Sequence, residues 1–467
     1  MKSGWKWFEI SSLLFLITLD ALLFVLSTIL FSEKMGRGLI ISLSAFIFMS
    51  GVTFFFVKLK SKGCFESKKA KKQIIAALCA AGLFTLALFV PTEQSSRSDV
   101  LGSTDIKGEQ QRYDAREQPG AELYTDMNDA VPTDQLTLSI YDICVGKVSY
   151  KVHRDGTPAS PRIEVTNPQV LTDHIKDQAK ALGARVVGVT ELDSTYVFTN
   201  DHAGNPIRLS HPNAIVVGKD LKYTLASPTA PLPWEEMYSS IPEELAAALS
   251  GRVVKSAEKI SDKDLEELKQ AMRFFSEGGK TAVELARFIR GMGYSARAHY
   301  TRWSEVQIIP LAIKAGLGEL ARNGMIINKE MGPRGSFAVV TTDLPLVFDR
   351  PIRLGIKEFC NTCKKCADYC PVKAIPFGSP NWVRGALKWS VDGKRCGDYL
   401  VSNPKCLACI GSCPYNKPDN ILHDAANFMV SKRSRLTNWL MVKIDDLLGY
   451  GQMAAPDPKF LEQLNQG

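Results

Sequence analysis

Eight of the eleven cysteines in this 467-residue chain fall between residues 360 and 413, and this crowding constrains the fold more than any other feature. The first four are spaced C-x2-C-x2-C-x3-C and are followed by a proline; they are Cys360, Cys363, Cys366 and Cys370. This is the bacterial ferredoxin pattern, in which three thiolates bind one cubane and the fourth is carried to a second cluster. The spacing therefore predicts an iron–sulfur domain with two clusters.

A second, shortened cysteine motif supplies the remaining ligands. It comprises Cys406, Cys409 and Cys413, again followed by proline, with Cys396 ten residues upstream of Cys406. Ligand exchange between the two motifs assigns two sets: Cys360, Cys363, Cys366 and Cys413 for cluster 1, and Cys370, Cys396, Cys406 and Cys409 for cluster 2. A structural zinc site or disulfides are the alternatives, and two Cys-Pro-terminated motifs in tandem argue against both. Cys64, Cys79 and Cys144 lack metal spacing and are predicted to be apolar packing residues.

The N-terminal ninety residues contain three apolar runs, at 7–31, 38–59 and 74–90. The first two exceed the roughly 20 residues that a helix needs to span a bilayer, and the third is just sufficient. A cleaved signal peptide would carry one such run. We therefore expect three transmembrane helices in residues 1–90, which would make this a multi-pass protein of the cell membrane.

Seven lysines lie between residues 58 and 72, at the end of the second run and in the loop before the third, and the positive-inside bias places this region in the cytoplasm. Everything after residue 90 is then expected on the outer face; if one of the runs did not span the membrane, this region would face the cytoplasm instead. Asp20 lies within the first run, where it is either a functional carboxylate or a neutral side chain hydrogen-bonded to a neighbouring helix. No histidine precedes His153, which excludes haem held by paired histidines between these helices.

Beyond a polar linker at 91–131, short apolar runs of strand length alternate with helical stretches. Strands are predicted at 184–192 and 213–218, and helices at 173–182, 260–275 (with Ser261 as its cap) and 281–292. We therefore predict an α+β chain with a mixed α/β domain at 132–345, a ferredoxin-like domain with two [4Fe–4S] clusters at 346–430, and a C-terminal tail at 431–467.

The net charge of +8 comes almost entirely from the N-terminal segment, which holds 11 Lys+Arg against 4 Asp+Glu. The rest of the chain holds 46 against 45. A nucleic-acid-binding domain would carry a basic patch of its own, so nucleic acid is not an expected partner. A Gly-rich dinucleotide fingerprint is also missing from the soluble region, which leaves a nicotinamide or flavin Rossmann site without support.

The segment 308–324, IIPLAIKAGLGELARNG, resembles the core signature of corrinoid-dependent reductive dehalogenases. The resemblance continues through Met325-Ile-Ile, Gly332-Pro-Arg and Thr342-Asp-Leu-Pro-Leu to Phe359-Cys360, and it includes the shortened second cysteine motif. Residues 184–197 resemble an earlier segment of the same family, so that the likeness covers about residues 165–425.

This resemblance implies that residues 132–345 form a nitroreductase-like, cobalamin-binding (corrinoid) catalytic domain, with one cluster close to the corrin and a small organohalide as substrate. It also implies a tyrosine proton donor assisted by a cation. On that basis Tyr223 is the expected donor, Arg322 the assisting cation and Lys280 a third candidate. The alternatives are a packing tyrosine at a strand end for Tyr223 and, for Arg322, an ion pair with Glu319 on the same helix face.

Two other functions compete with this interpretation. An epoxyqueuosine reductase would use a carboxylate donor, for which Asp220 is available, and it would need a basic groove. A membrane-tethered electron carrier without catalysis would leave some 200 residues of α/β domain without a role. The electron donor is expected to be quinol-linked or ferredoxin-type. Familiar members of the family carry a twin-arginine signal and rely on a separate membrane anchor, whereas three built-in helices take the anchor's place here.

Overall fold

A computed structural model gives the fold of the chain. It describes residues 153–201, 204–220, 278–300, 303–402, 406–418 and 420–452, shorter stretches at 100–101, 104–106 and 111–117, and scattered residues between 17 and 53. The chain divides into two compact units. One comprises residues 95–417 with 453–467, and the other comprises residues 1–94 with 418–452.

The larger unit is built on a four-stranded antiparallel sheet in the order β3-β4-β8-β5. The strands are β3 (Val186–Glu191), β4 (Asn213–Asp220), β5 (Ala296–His299) and β8 (Gly335–Thr342). Ile215 and Val217 of β4 join one apolar core, and Ala214 and Val216 join another. Both faces of this strand are buried, which explains its unbroken apolar run and confirms the two predicted strands.

Helices cover both faces of the sheet. Helix α1 (Pro168–Ala181) starts at Asn167, whose side chain accepts hydrogen bonds from the amides of Gln169 and Val170. Described residues of a second helix, α2, cover 278–291, and the chain turns at Gly293 with φ 87°. Helix α3 (Ile308–Lys314) packs into the opposite core. These positions confirm two of the predicted helices, while the helix predicted at 260–275 lies outside the described residues.

The remaining strands and helices of the larger unit are short, and they include the helices that carry the cysteines. The strands are β1 (Val100–Leu101), β2 (Thr104–Asp105), β6 (Glu319–Leu320), β7 (Ile326–Ile327), β9 (Asn381–Val383) and β10 (Ala386–Lys388). The helices are α4 (Ile356–Cys363), α5 (Lys365–Asp368), α6 (Gly393–Ser402) and α7 (Ala408–Gly411), with 3-10 turns at Ala115–Glu117 and Ser194–Tyr196. This mixture confirms the α+β class.

The smaller unit contains α8 (Ile421–Val430) and α9 (Arg435–Leu448), which pack against each other, together with helical residues between 17 and 53. Among the described residues, no helix has both the length and the apolar character that crossing a bilayer requires. Most of the three predicted transmembrane runs lies outside those residues, so the structure does not confirm that prediction. Asp20 accepts hydrogen bonds from Thr53 at 2.8 Å and Ser50 at 3.4 Å, in agreement with the hydrogen-bonded alternative.

Candidate functional site: two cysteine sets and the groups around them

The local fold presents the first cysteine motif on two short helices. Helix α4 is anchored at its start by Glu319, whose Oε2 accepts the Ile356 amide at 2.9 Å, and it carries Cys360 and ends at Cys363. Lys364 then takes a left-handed conformation with φ 58°, which breaks the helix before α5 begins. The break turns the backbone between Cys363 and Cys366, as a loop around a cluster requires.

The four cysteines predicted for cluster 1 line one cavity, which also contains Arg322 and Tyr415 in its wall. Burial raises the pKa of the Cys360 thiol to about 12 and raises that of Cys366 further. Iron binds the thiolate form of cysteine. The positive charge of the iron therefore has to offset the cost of burying the thiolate away from water. The cavity thus groups Cys360, Cys363, Cys366 and Cys413 as the sequence predicts.

The cluster 2 cysteines lie in an apolar setting. Cys370 is buried among Ala367, Val372, Ala374 and Ile375, and Cys396 and Cys409 pack against the same group. Cys370 and Cys406 both interact electrostatically with Cys396 and Cys409. Burial is the main reason that the pKa values of Cys396, Cys406 and Cys409 are raised. The Ala374 amide donates to the Cys370 Sγ at 3.2 Å.

The eight cysteines are free thiols in the structure, so disulfides do not account for their crowding. Within the part of the chain that the structure describes, no three His, Cys, Asp or Glu side chains surround a point where a single metal ion would sit. Ligands of a cubane are spread more widely than ligands of one ion, because each thiolate binds a different iron. The donor chemistry and the grouping both suit two [4Fe–4S] clusters.

Arg322 lies in the wall of cluster 1 and is 1% exposed. Its Nε and Nη2 donate to the Cys360 carbonyl at 3.2 and 3.0 Å, and its Nη1 donates to the carbonyls of Pro376 and Gly378 at 2.6 and 3.0 Å. Its guanidinium carbon also lies 4.4 Å from the centre of the Trp389 ring. The guanidinium is therefore occupied by the backbone of the cysteine region, an arrangement that favours a cluster role over the predicted help to a leaving halide.

The alternative proposed for Arg322 from the sequence also changes. Glu319 and Arg322 do not share a helix face, because Glu319 belongs to strand β6 and the preceding helix α3 ends at Lys314. Glu319 instead anchors α4 at Ile356. The i, i+3 ion pair was wrong because Gly316 and Gly318, with φ 74° and 154°, end the helical run before it reaches Glu319.

Sequence reasoning missed Tyr415, which follows the second Cys-Pro pair. Its hydroxyl is buried and makes no hydrogen bond to any other described residue, and its ring packs edge-on against Phe359 at 5.4 Å. Burial, reinforced by the nearby cysteines, raises the pKa of Tyr415 well above its usual value, so the group keeps its proton. A buried O–H donor in the wall of this cavity fits an acceptor such as a cluster sulfide.

Arg334 connects cluster 1 with the end of strand β4. Its Nε donates to Asp220 at 3.2 Å, and its Nη1 donates to the Asn416 side chain at 3.1 Å and the Lys417 carbonyl at 3.2 Å. Asn416 and Lys417 lie three and four residues after the cluster 1 ligand Cys413. Asp220, the carboxylate that an epoxyqueuosine reductase would use, is thus paired with a buried arginine.

Tyr223 lies three residues beyond Asp220 and outside the described residues. Strand β4 ends at Asp220, which Arg334 joins to the loop after the cluster 1 ligand Cys413. Lys280 lies on α2 with an exposed side chain. The predicted roles of Tyr223 and Lys280 remain predictions, as do those of Cys64, Cys79 and Cys144, which also lie outside the described residues.

Comparisons with known proteins agree with this geometry. The family model of the 4Fe-4S dicluster domain matches residues 359–417. A tetrachloroethene reductive dehalogenase of Sulfurospirillum multivorans is 31% identical over 298 residues, which are 62% of this chain and 58% of that protein. A tetrachloroethene reductive dehalogenase of Desulfitobacterium hafniense is 36% identical over 199 residues, covering 40% of this chain and 35% of that one.

Among solved structures, the catabolic reductive dehalogenase NpRdhA in complex with 3-bromo-4-hydroxybenzoic acid matches with a TM-score of 0.59 at 27% identity. The match covers 76% of this chain and 49% of that chain. A reductive dehalogenase structure associated with B12-dependent dehalogenation also matches, with the same TM-score and identity. The chain thus spans less than two thirds of the length of these relatives.

Proposed function

Since this chain belongs to the reductive dehalogenase family, we propose that it is an oxidoreductase that removes halide from a small organohalide. The observation that carries the proposal is that one compact unit joins the two cysteine sets to the antiparallel sheet, over a length that a solved dehalogenase matches. A simple electron carrier would need the cysteine region without the sheet.

The family implies cobalamin as the second cofactor, and a corrinoid cobalt supplies the reducing centre at which a carbon–halogen bond is cleaved. The described residues that would adjoin it are those where the sheet meets cluster 1. Arg334 fixes the end of β4 there through Asp220. The close approach of Gly332 to the Tyr415 carbonyl, 2.1 Å from where a Cβ would stand, leaves no room for a side chain. The end of β4, three residues before Tyr223 in the sequence, is therefore held beside the loop that follows Cys413.

We assign the proton donor to Tyr223, which would place a proton on the carbon that loses halide. Arg322 is assigned to cluster 1, where its buried charge and its bonds to three carbonyls support the loop that holds Cys360. Lys280, exposed on α2, remains a candidate for assisting the donor.

We also propose that residues 1–90 anchor the protein in the cell membrane through several helices, with the catalytic unit on the outer face. The lysine-rich loop at 58–72 supports this orientation. The Ser27 hydroxyl donates to Ser42 at 3.0 Å in a buried contact, while Phe24 and Ile47 are 57% and 69% exposed. Polar contacts inside and apolar side chains outside suit helices surrounded by lipid. Electrons would come from a quinol-linked or ferredoxin-type donor.

The test is metal content followed by activity. The full chain, produced without oxygen and with cobalamin supplied, should contain about one cobalt and about eight irons. Reduced protein should then release halide from tetrachloroethene or 3-bromo-4-hydroxybenzoic acid. Tyr223→Phe should lower the rate about 10²-fold or more without changing metal content. Tyr294→Phe is the matched control, because that hydroxyl is already bonded to the Ile163 carbonyl at 2.8 Å. Eight irons without cobalt in folded protein would overturn the proposal.

A further inference from the structure

Helix α9 buries several polar side chains together with Val442, and it exposes several bulky apolar ones. Thr437, Asn438 and Asp445 are buried, at 0%, 1% and 7% exposure. Trp439 and Leu447, two turns apart on the same face, are each 51% exposed. In water this arrangement is unfavourable, since apolar area left exposed forgoes roughly 25 cal/mol per Å². The outward face of α9 therefore suits an apolar neighbour.

Helix α8 extends this surface. Ile421 is 74% exposed and Phe428 57% exposed, with exposed Ala425 between them, and the spacing of four and seven residues puts all three on one face. The Lys432 ammonium lies 4.2 Å from the centre of the Phe428 ring, a cation–π contact at the turn between the two helices. Helices α8 and α9 thus expose bulky apolar groups together.

Cations lie among the exposed apolar side chains of α9. Arg435 and Lys443 are exposed and occupy the same four-residue spacing as Trp439 and Leu447. Long basic side chains of this kind bury their stems in an apolar layer and keep the charge in water, and tryptophan favours the same boundary. A face of tryptophan, leucine and basic residues matches the headgroup–acyl boundary of a bilayer better than the interior of a protein interface, where lysine is depleted.

The two helices belong to the compact unit that contains the N-terminal apolar runs. Tyr450, just after α9, is buried against Leu26 of the first run, and it packs edge-on against His423 of α8 at 5.5 Å. The described helical residues between 17 and 53 likewise combine buried polar side chains, the Ser27–Ser42 pair, with an exposed apolar one, Ile47. The surface formed by α8 and α9 is therefore continuous with a segment that already favours lipid.

We propose that α8 and α9 lie at the headgroup–acyl boundary of a phospholipid bilayer, with Ile421, Phe428, Trp439 and Leu447 in contact with lipid. This inference rests on the proposed membrane anchoring of residues 1–90 and extends it to the C-terminal region, which has no run long enough to suggest a membrane role from sequence. The competing occupant is a partner protein, and the experiment separates the two.

The experiment places a photo-crosslinking benzoylphenylalanine in the full chain, one position at a time. The positions are Trp439 and Leu447 on α9, Ile47 in the N-terminal segment, and Val170 on α1 as control, which is 64% exposed in the other unit. Each variant is reconstituted into phosphatidylcholine vesicles that contain an alkyne-tagged acyl chain. After illumination, lipid adducts are read from the fluorescence of the clicked chain on a denaturing gel. We expect adducts at 439, 447 and 47, at least tenfold above the signal at 170.

Three outcomes would overturn the inference in distinguishable ways. Adducts at 47 without adducts at 439 and 447 would leave the anchoring intact and remove α8 and α9 from the membrane. An absence of lipid adducts at all positions would contradict the anchoring itself. When the same variants are illuminated in native membranes, a protein adduct at 439 that replaces the lipid adduct would identify the surface as a docking site for a partner protein. Unchanged iron content and helical circular dichroism establish that each variant is folded, and Phe428 replaces any position that fails this check.

Discussion

The two cluster sites lie within a few residues of each other in sequence, yet their surroundings differ. Cluster 1 has a buried guanidinium and a buried phenol in its wall, from Arg322 and Tyr415. Cluster 2 is packed by aliphatic side chains, among them Val372 and Ile375. Positive charge and O–H donors stabilise the reduced, more negative form of a cluster, whereas an apolar setting does not. We therefore expect cluster 1 to have the higher reduction potential.

This difference gives electron flow a direction. An electron that enters at cluster 2 would move downhill to cluster 1, whose loop is tied through Arg334 and Asp220 to the end of β4. Tyr223 follows the last residue of β4 by three positions in the sequence. The polar groups around cluster 1 thus place the more easily reduced cluster next to the region where the reaction is proposed to occur.

The largest expected effect comes from separating the two ligand sets. Cys366 and Cys370 are four residues apart in the sequence, yet they are assigned to different clusters. Cys366→Ser should remove the signal of the higher-potential cluster, and Cys370→Ser that of the lower-potential cluster, each leaving about four irons of about eight. Iron analysis and EPR-monitored redox titration measure both. Loss of the same signal in the two variants would contradict the assignment.

Replacement of Arg322 should have the next largest effect. Arg322→Gln removes the buried charge and leaves the carbonyls of Cys360 and Pro376 without this donor, whereas the Gly378 carbonyl keeps the Trp389 Nε1. We expect a loss of about 3 kcal/mol or more in stability, seen as a lower temperature at which the cluster absorbance bleaches. The reduction potential of cluster 1 should fall, while that of cluster 2 should not change.

Arg322→Lys is the matched control, because it keeps the charge but cannot form the planar fork. It should restore much of the potential and little of the thermal stability. If both variants keep the wild-type potential of cluster 1, the guanidinium charge does not affect the cluster. Arg322 would then not be a cause of the expected difference in potential between the two clusters.

The ligand sets were predictable from the sequence because cysteine spacing reports directly on cluster geometry. The side chains that surround the two clusters were not predictable from the sequence. Arg322 was identified through a family segment, but its bonds to Pro376 and Gly378 join residues more than 50 positions apart. Tyr415 gave no pattern at all, since a single tyrosine after a Cys-Pro pair acquires a role only when Phe359 and the cavity pack around it.

The same limit applies to the rest of the fold. Strands β3 and β4 were predictable because they are apolar runs of strand length, and helix α1 was predictable because its residues have helical spacing. The exposed apolar face of helix α9 was not predictable from the sequence, because Trp439 and Leu447 are interspersed with charged residues. Only the packing shows which side of the helix is buried. Periodicity identifies an element, whereas tertiary contacts decide what covers each of its faces.

A smaller effect is expected from Tyr415→Phe. This change keeps the ring packing on Phe359 and removes only the buried hydroxyl. If the hydroxyl donates to cluster 1, losing one hydrogen bond of roughly 1 kcal/mol should lower the potential of that cluster by tens of millivolts, at about 59 mV per tenfold change for one electron. Tyr399→Phe, beside cluster 2, is the control and should leave cluster 1 unchanged. An unaltered potential in Tyr415→Phe would mean that the hydroxyl has another partner.

The smallest effect is expected at Trp389, which supports cluster 1 only through Arg322. Its ring lies 4.4 Å from the guanidinium carbon, and its Nε1 donates to the Gly378 carbonyl at 2.9 Å. Trp389→Phe keeps an aromatic face for the guanidinium but removes the donor, so stability should fall by about 1 kcal/mol. The Gly378 carbonyl still has Arg322 as a donor, and the charge stays in place. Redox titration should therefore show a cluster 1 potential close to that of the wild type. A shift in the cluster 1 potential as large as that of Arg322→Gln would show that Trp389 itself positions the guanidinium charge. Part of the difference in potential between the two clusters would then depend on the indole.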